Sequence, residues 1–160
     1  MRWTLLIAML LASPAYSLSC TPPDPVQDYK AAEASSARWG VAVGQLSFNE
    51  GKLPKVDMNR PDKVPEKTTI RAQFVGHSLN TDGFKTPFQA NVTLQVSCIL
   101  TWCGTPRNGA RYLAFIKHEG NKRVVFSDPC GSRLYPNPSR QDLQRIRDCF
   151  VGGPCRPRAF

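Results

Sequence analysis

The chain has little of what would name an activity outright. It carries only two histidines, His77 and His118. Nucleophilic catalysis of the serine- or cysteine-protease kind needs a histidine beside the nucleophile and an acid to orient it. Ser78 and Glu119 are the histidines' sequence neighbours, but adjacent residues of a strand point to opposite faces. Both histidines therefore read as strand-end or surface residues, and no residue is assigned a catalytic role. Acids are also scarce: 12 Asp and Glu stand against 21 Lys and Arg, a formal charge of +9. No internal repeat is present. After the first 19 residues no apolar run approaches the roughly 20 residues that a membrane-spanning helix requires, so no transmembrane anchor is expected.

Those first residues carry the clearest signal. Arg2 is followed by the apolar run Leu5–Ala12 and then by small residues, Ser13–Ser19, the pattern of a cleavable secretory signal. Cleavage after Ser17 or after Ser19 satisfies the small-residue rule, and the second choice leaves Cys20 at the mature N-terminus. Ser17 stands where a lipoprotein signal has an aliphatic residue, which argues against lipidation of Cys20. Removal of residues 1–19 takes away one charged residue, Arg2, and leaves 20 minus 12, or +8. The expected location is secreted or periplasmic.

Six cysteines, Cys20, Cys98, Cys103, Cys130, Cys149 and Cys155, remain in the exported chain. An even number in an oxidising compartment predicts three disulfides. Zinc sites favour two closely spaced cysteine pairs. Cys98 and Cys103 have no matching second pair, and no thiol has an activating neighbour. No metal and no cofactor is expected. Six cysteines allow about 15 pairings, among which the sequence alone does not choose.

The order of elements is mainly β. Asp24-Pro25 caps a short helix over Val26–Arg38. Trp39–Phe48 reads as a strand with a glycine irregularity at Gly40 or Gly44. Residues 49–67, with three prolines, form a long polar excursion. Thr68–Leu79 is a strand, and Asn80–Pro87 a turn around Asp82-Gly83. Phe88–Cys98 alternates apolar and polar residues without a break, which excludes a helix. Ala110–Lys117 and Lys122–Ser127 complete five strands. Asn137–Phe150 reads as a helix, with Ser139 and Asp142 in the place of a capping box and Leu143, Ile146 and Phe150 on one face. Five glycine-bent strands predict one domain, residues 20–160: a small OB-like barrel over about 39–130 with a C-terminal helix over about 138–150.

This layout resembles the netrin-like domains, whose fold is an OB barrel and which include the N-terminal domain of tissue inhibitors of metalloproteinases. The matching residues are Cys20-Thr21-Pro22-Pro23, Trp39-Gly40-Val41-Ala42-Val43-Gly44, Cys103-Gly104, Tyr112-Leu113-Ala114-Phe115 and Cys130. The chain departs from the inhibitors in lacking their N-terminal Cys-x-Cys, and in adding Cys98 and a basic C-terminal helix. The resemblance implies that Cys20 is tied to one member of the Cys98–Cys103 corner and Cys130 to the other, with Cys149 and Cys155 paired locally. It also implies an alternative function: inhibition of a metalloprotease whose zinc is met by the amino group and carbonyl of a freed Cys20.

The leading expectation is a non-enzymatic binding or interaction module. Its expected contact surface joins Cys20, Thr21 and Pro22 to the Cys98–Gly109 corner, where Trp102 and Arg107 stand. Trp102 reads first as a core residue and second as a contact. A further cluster, Arg133, Arg140, Arg145, Arg147, Arg156 and Arg158, marks the C-terminal region, with Arg140, Gln144 and Arg147 on one helical flank. Such a face is by default solvated, and next suits an acidic protein or an anionic envelope component. The secretory signal removes the chain from cytoplasmic nucleic acid. Asn91-Val92-Thr93 matches a glycosylation acceptor, which has meaning only in a eukaryotic secretory route.

Overall fold

The computed structural model describes residues 19–159. The expected signal segment through residue 18, with its expected cleavage site after Ser17, lies outside the described residues. Seven strands form one sheet system: β1 Arg38–Phe48, β2 Lys67–Asn80, β3 Gly83–Ile99, β4 Trp102–Cys103, β5 Arg111–Glu119, β6 Lys122–Ser127 and β7 Leu134–Pro136. Helix α1 covers Pro25–Glu33 and α2 covers Arg140–Phe150. The neighbour order is β1-β2-β3-β6-β5, and β1 also pairs with β5. Five strands thus close on themselves. All their pairings are antiparallel except β3 with β6.

Period-two patterning sorts the side chains into two apolar clusters. Inside the ring lie Leu46, Phe74, Leu94, Val96, Ala114, Ile116 and Val125. Outside it, Leu113 and Phe115 of β5 meet Val26 and Tyr29 of α1 and Ile146 of α2. Trp39 and Val41 of β1 pack at the edge of this second cluster. The helices therefore cover the outer face of β1 and β5. They leave the outer face of β2 and β3 open over Thr69–Gln73 and Gln89–Asn91, where odd-numbered residues are exposed.

Glycine sets the approach of β1 to β2. Gly44 and Gly76 are directly opposite, and a Cβ at Gly76 would stand 2.1 Å from the Val43 carbonyl oxygen. Gly44 is a close-packing site and not a bulge.

Several boundaries differ from the sequence expectation. Helix α1 stops at Glu33, because Ser35 draws the Ala37 amide to its hydroxyl at 3.1 Å, the competition that disfavours serine within helices. β1 then starts at Arg38. The β2–β3 turn is two residues, Thr81-Asp82, and β3 starts at Gly83, where φ is +92°. Pro87 lies within β3, opposite His77. β6 pairs with β3 over Thr93–Val96, so at Pro87 β3 is an edge, where a missing donor is tolerated. The short strands β4 and β7 were not expected. α2 has the predicted capping box: the Ser139 hydroxyl accepts from the Asp142 amide at 3.0 Å, and the Asp142 carboxylate accepts from the Ser139 amide.

Residues 49–67 pack back onto the ring. Leu53 reaches the inner core, Val64 is buried, and Glu50 accepts from the Asn108 amide at 2.7 Å. Among the described residues no helix is long and apolar enough to cross a membrane.

Candidate functional site: a disulfide-pinned apolar tip

β3 is the longest strand, and its end turns sharply into β4. Cys98 and Cys103 are opposite one another in register and bonded. The bond closes a tight hairpin whose tip is Ile99-Leu100-Thr101-Trp102. Three of these four residues are large apolar side chains in solvent: Ile99 is 51% exposed, Leu100 62% and Trp102 51%. Trp102 is therefore not a core residue; the two-residue strand β4 points it away from the ring. Leu100 has φ +54°, the left-handed region that glycine enters freely and a leucine enters at a cost of about 1–2 kcal/mol. A bulky apolar residue stands where the backbone would favour glycine.

The base of the tip is rigid. Gly104 follows Cys103, and a Cβ there would lie 2.3 Å from the Ser127 carbonyl oxygen, so the corner sits tight against the end of β6. The Gly104 amide donates to the Ser97 carbonyl at 3.0 Å. The Tyr112 hydroxyl, buried below, accepts from the Arg107 amide at 2.8 Å. Arg107 is exposed on the wall between two grooves. One runs past Leu53, Pro54 and Val56, the other past Asp128, Pro129 and Gly131.

The second groove lies beside the residue that ties down the N-terminal segment. Cys20 is bonded to Cys130, between two residues of the groove wall. This corrects the expected pairing of Cys20 and Cys130 with the corner cysteines. Cys98 and Cys103 satisfy one another across adjacent strands, and the N-terminal segment crosses at residue 130 instead. The local pair, Cys149–Cys155, is as expected. Thr21, Pro22 and Pro23 are exposed. Of the predicted contact residues, Arg107 lines this groove and Cys20 is bonded beside it, Thr21 and Pro22 are exposed on the segment that follows Cys20, and Trp102 stands on the tip.

Arg140 and Arg147 lie elsewhere. With Gln144 they line a groove against Asp82–Lys85, where the Arg147 stem passes Gly83. The cluster at the C-terminal end is partly structural. Arg145 is turned to Asp24, whose side chain is fully buried, at 2.9 Å, and the Arg158 amide donates to the same carboxylate. Asp24 also caps α1 through the Val26 amide at 2.9 Å. Burial pushes the Asp24 carboxyl up, but Arg145 and the two amides outweigh it and hold the pKa below its usual value. Arg133 lies over the Trp39 ring, 5.1 Å from its centroid.

The histidines are apart. His77 is exposed on β2. His118 shares a hydrogen bond with Arg38 at 3.2 Å; burial, and then the charges of Arg38 and Arg123, hold its pKa below the usual value. Among the described residues no group of three or more His, Cys, Asp or Glu is placed to hold a metal ion. Asn91 of the acceptor triplet is exposed on β3.

Sequence reasoning missed Ile99 and Leu100. Their signal was available: two consecutive apolar residues inside a disulfide loop of six residues have no strand to bury them. Comparison of the chain with protein-family models, curated proteins and solved structures found no match.

Proposed function

We propose that this chain is an exported, disulfide-bonded, non-enzymatic binding module of the netrin-like kind, built on an OB-like barrel. Support for the barrel is the closed ring of five strands with one parallel pair, an arrangement suited to a small Greek-key barrel. Support for export is the signal pattern in the sequence and the three disulfides, which persist in oxidising compartments. The observation that carries the function is the tip. A covalent pin, a strained leucine and an exposed tryptophan present apolar surface on a rigid base. Aromatic anchors of this kind dominate protein interfaces, and apolar contact resists salt where surface charge pairs do not.

The test is a pull-down of the mature protein from its own envelope or secreted fraction at low and at high salt. A partner retained at high salt, and lost on Leu100→Gly/Trp102→Ala with an unchanged melting temperature, is the expected result. A partner held equally by the double variant, or released from the wild type by salt, refutes the tip as the contact. Metalloprotease inhibition through Cys20 draws less support, because the link from Cys20 to the corner on which that reading drew is a link to Cys130. A mature chain starting at Leu18 would remove that mechanism.

A further inference from the structure

The tip, residues 99–102, is convex, small and uncharged. Its three exposed apolar side chains offer on the order of 350 Å². That is less than half of the roughly 800 Å² that each partner gives a stable protein interface. The tip reaches about two residues, roughly 7 Å, beyond the Cys98–Cys103 bond. A bilayer asks for no matching concavity, and apolar side chains of interfacial elements enter it to a depth of about 5–10 Å. Leucine and isoleucine suit the acyl region. Tryptophan suits the headgroup boundary, where its ring N–H stays hydrated. Insertion would carry no charge into the hydrocarbon, since Ile99, Leu100, Thr101 and Trp102 have none. The disulfide holds the tip in place before contact, so little ordering entropy is lost.

Cations stand at the depth of the headgroups. Lys67 is opposite Ser97 in register, and Ser97, two residues before Ile99, shares its face of β3. Lys67 is exposed, as is Arg107 at the base of the corner. Neither forms an ion pair among the described residues. Two carboxylates are near. Glu50 accepts from the Asn108 amide, and Glu66 adjoins Lys67, its carbonyl accepting from the Cys98 amide at 2.9 Å. The chain as a whole is positive, 20 minus 12 or +8 without residues 1–19, so its field favours an anionic surface.

We propose that the tip inserts into the surface of a bilayer of anionic phospholipid, a reading that holds only if the tip is the contact. Ile99, Leu100 and Trp102 lie below the headgroups, and Lys67 and Arg107 lie among them.

The test is sedimentation of the purified mature protein with vesicles of phosphatidylglycerol and phosphatidylethanolamine, and with vesicles of phosphatidylcholine alone. The anionic vesicles are expected to bind, to shift the tryptophan emission to the blue, and to quench it when their acyl chains are brominated. Trp102→Phe should remove the shift and the quenching. Leu100→Gly/Trp102→Ala should weaken binding at least about tenfold. If that variant fails to fold, Ile99→Ser reads the same tip and should weaken binding at least about threefold. Lys67→Gln/Arg107→Gln should weaken it at least about fivefold. Arg140→Gln/Arg147→Gln makes the same change of net charge at the opposite end of β3 and should weaken it less than about twofold. Equal binding of the phosphatidylcholine vesicles, equal losses in the two charge sets, or binding untouched by the tip variants overturns the proposal. If no vesicle binds while the envelope pull-down still captures a partner that Leu100→Gly/Trp102→Ala loses, the bilayer is overturned and the tip stays the contact. If the variant keeps that partner as well, both fall.

Discussion

Asp24→Ala should be among the most damaging single substitutions outside the apolar core. Its side chain is fully buried and holds three elements at once: the first turn of α1, Arg145 of α2, and the Arg158 amide of the C-terminal tail. Loss of an N-cap costs about 1 kcal/mol. Removing one partner of a buried ion pair costs about 3–5 kcal/mol, because the other charge stays buried. Arg145 retains a carbonyl contact with Arg156 at 3.1 Å and a longer approach to Asp142 at 3.8 Å, so the lower part of that range applies. The expected loss is about 4 kcal/mol, or roughly 10–20 °C in melting temperature for a domain of this size. Asp24→Asn keeps the cap acceptor and loses the charge, and should cost about 2 kcal/mol.

Urea unfolding measured against pH separates charge from packing. The folded pKa of Asp24 is lowered, so its stabilisation is complete above the unfolded value near 4. It is lost as pH falls through the folded value. The gap between wild type and Asp24→Asn should be constant from about pH 7 to pH 5 and narrow below about pH 4. A loss under about 1 kcal/mol for Asp24→Ala, or a gap that stays constant down to about pH 2, would refute the role given to this carboxylate.

The disulfides should rank by the loops they close. Cys20→Ser/Cys130→Ser, across a separation of 110, should cost about 5 kcal/mol, and Cys98→Ser/Cys103→Ser, across a separation of 5, about 2 kcal/mol. Urea denaturation checks the order, which a reversed ranking would contradict. Gly76→Ala should cost about 3 kcal/mol or more, since its Cβ meets the Val43 carbonyl. Gly120→Ala, at φ +57° but with nothing within 4 Å, should cost about 1 kcal/mol; equal losses at the two glycines would show that the approach of β1 to β2 is looser than described.

What was legible in the sequence was what is encoded locally. The alternation of Phe88–Cys98 specifies a strand and also which residues face the core; Leu94 and Val96 are fully buried as it requires. The Ser139–Asp142 box places the start of α2, and Cys149 finds Cys155 across a turn. Pro87 misled because proline speaks against a central strand, and whether β3 is an edge at that point depends on where the parallel strand β6 begins. The pairing of Cys20 was illegible for a related reason. It is set by the crossing of the N-terminal segment over Cys130, a contact between parts 110 residues apart, and nothing at either cysteine specifies it.

The same distinction explains why the candidate contact surface was only half seen. Trp102 was read toward the core because tryptophan is usually buried on average, and its true position follows from a geometric constraint. Cys98 is buried at the end of a core-facing run. Its bond to Cys103 forces the chain to reverse within four intervening residues, too few to return any of them to the ring. Whatever occupies that reversal must be exposed, so its composition is free of packing demands. Ile, Leu and Trp there are not explained by the fold, and Leu100 at positive φ is opposed by it. Solvent-exposed charged residues would have served the turn at less cost in solubility. The apolar composition of the tip is therefore a part of the chain that folding does not account for, and it is the observation on which the proposed interaction rests.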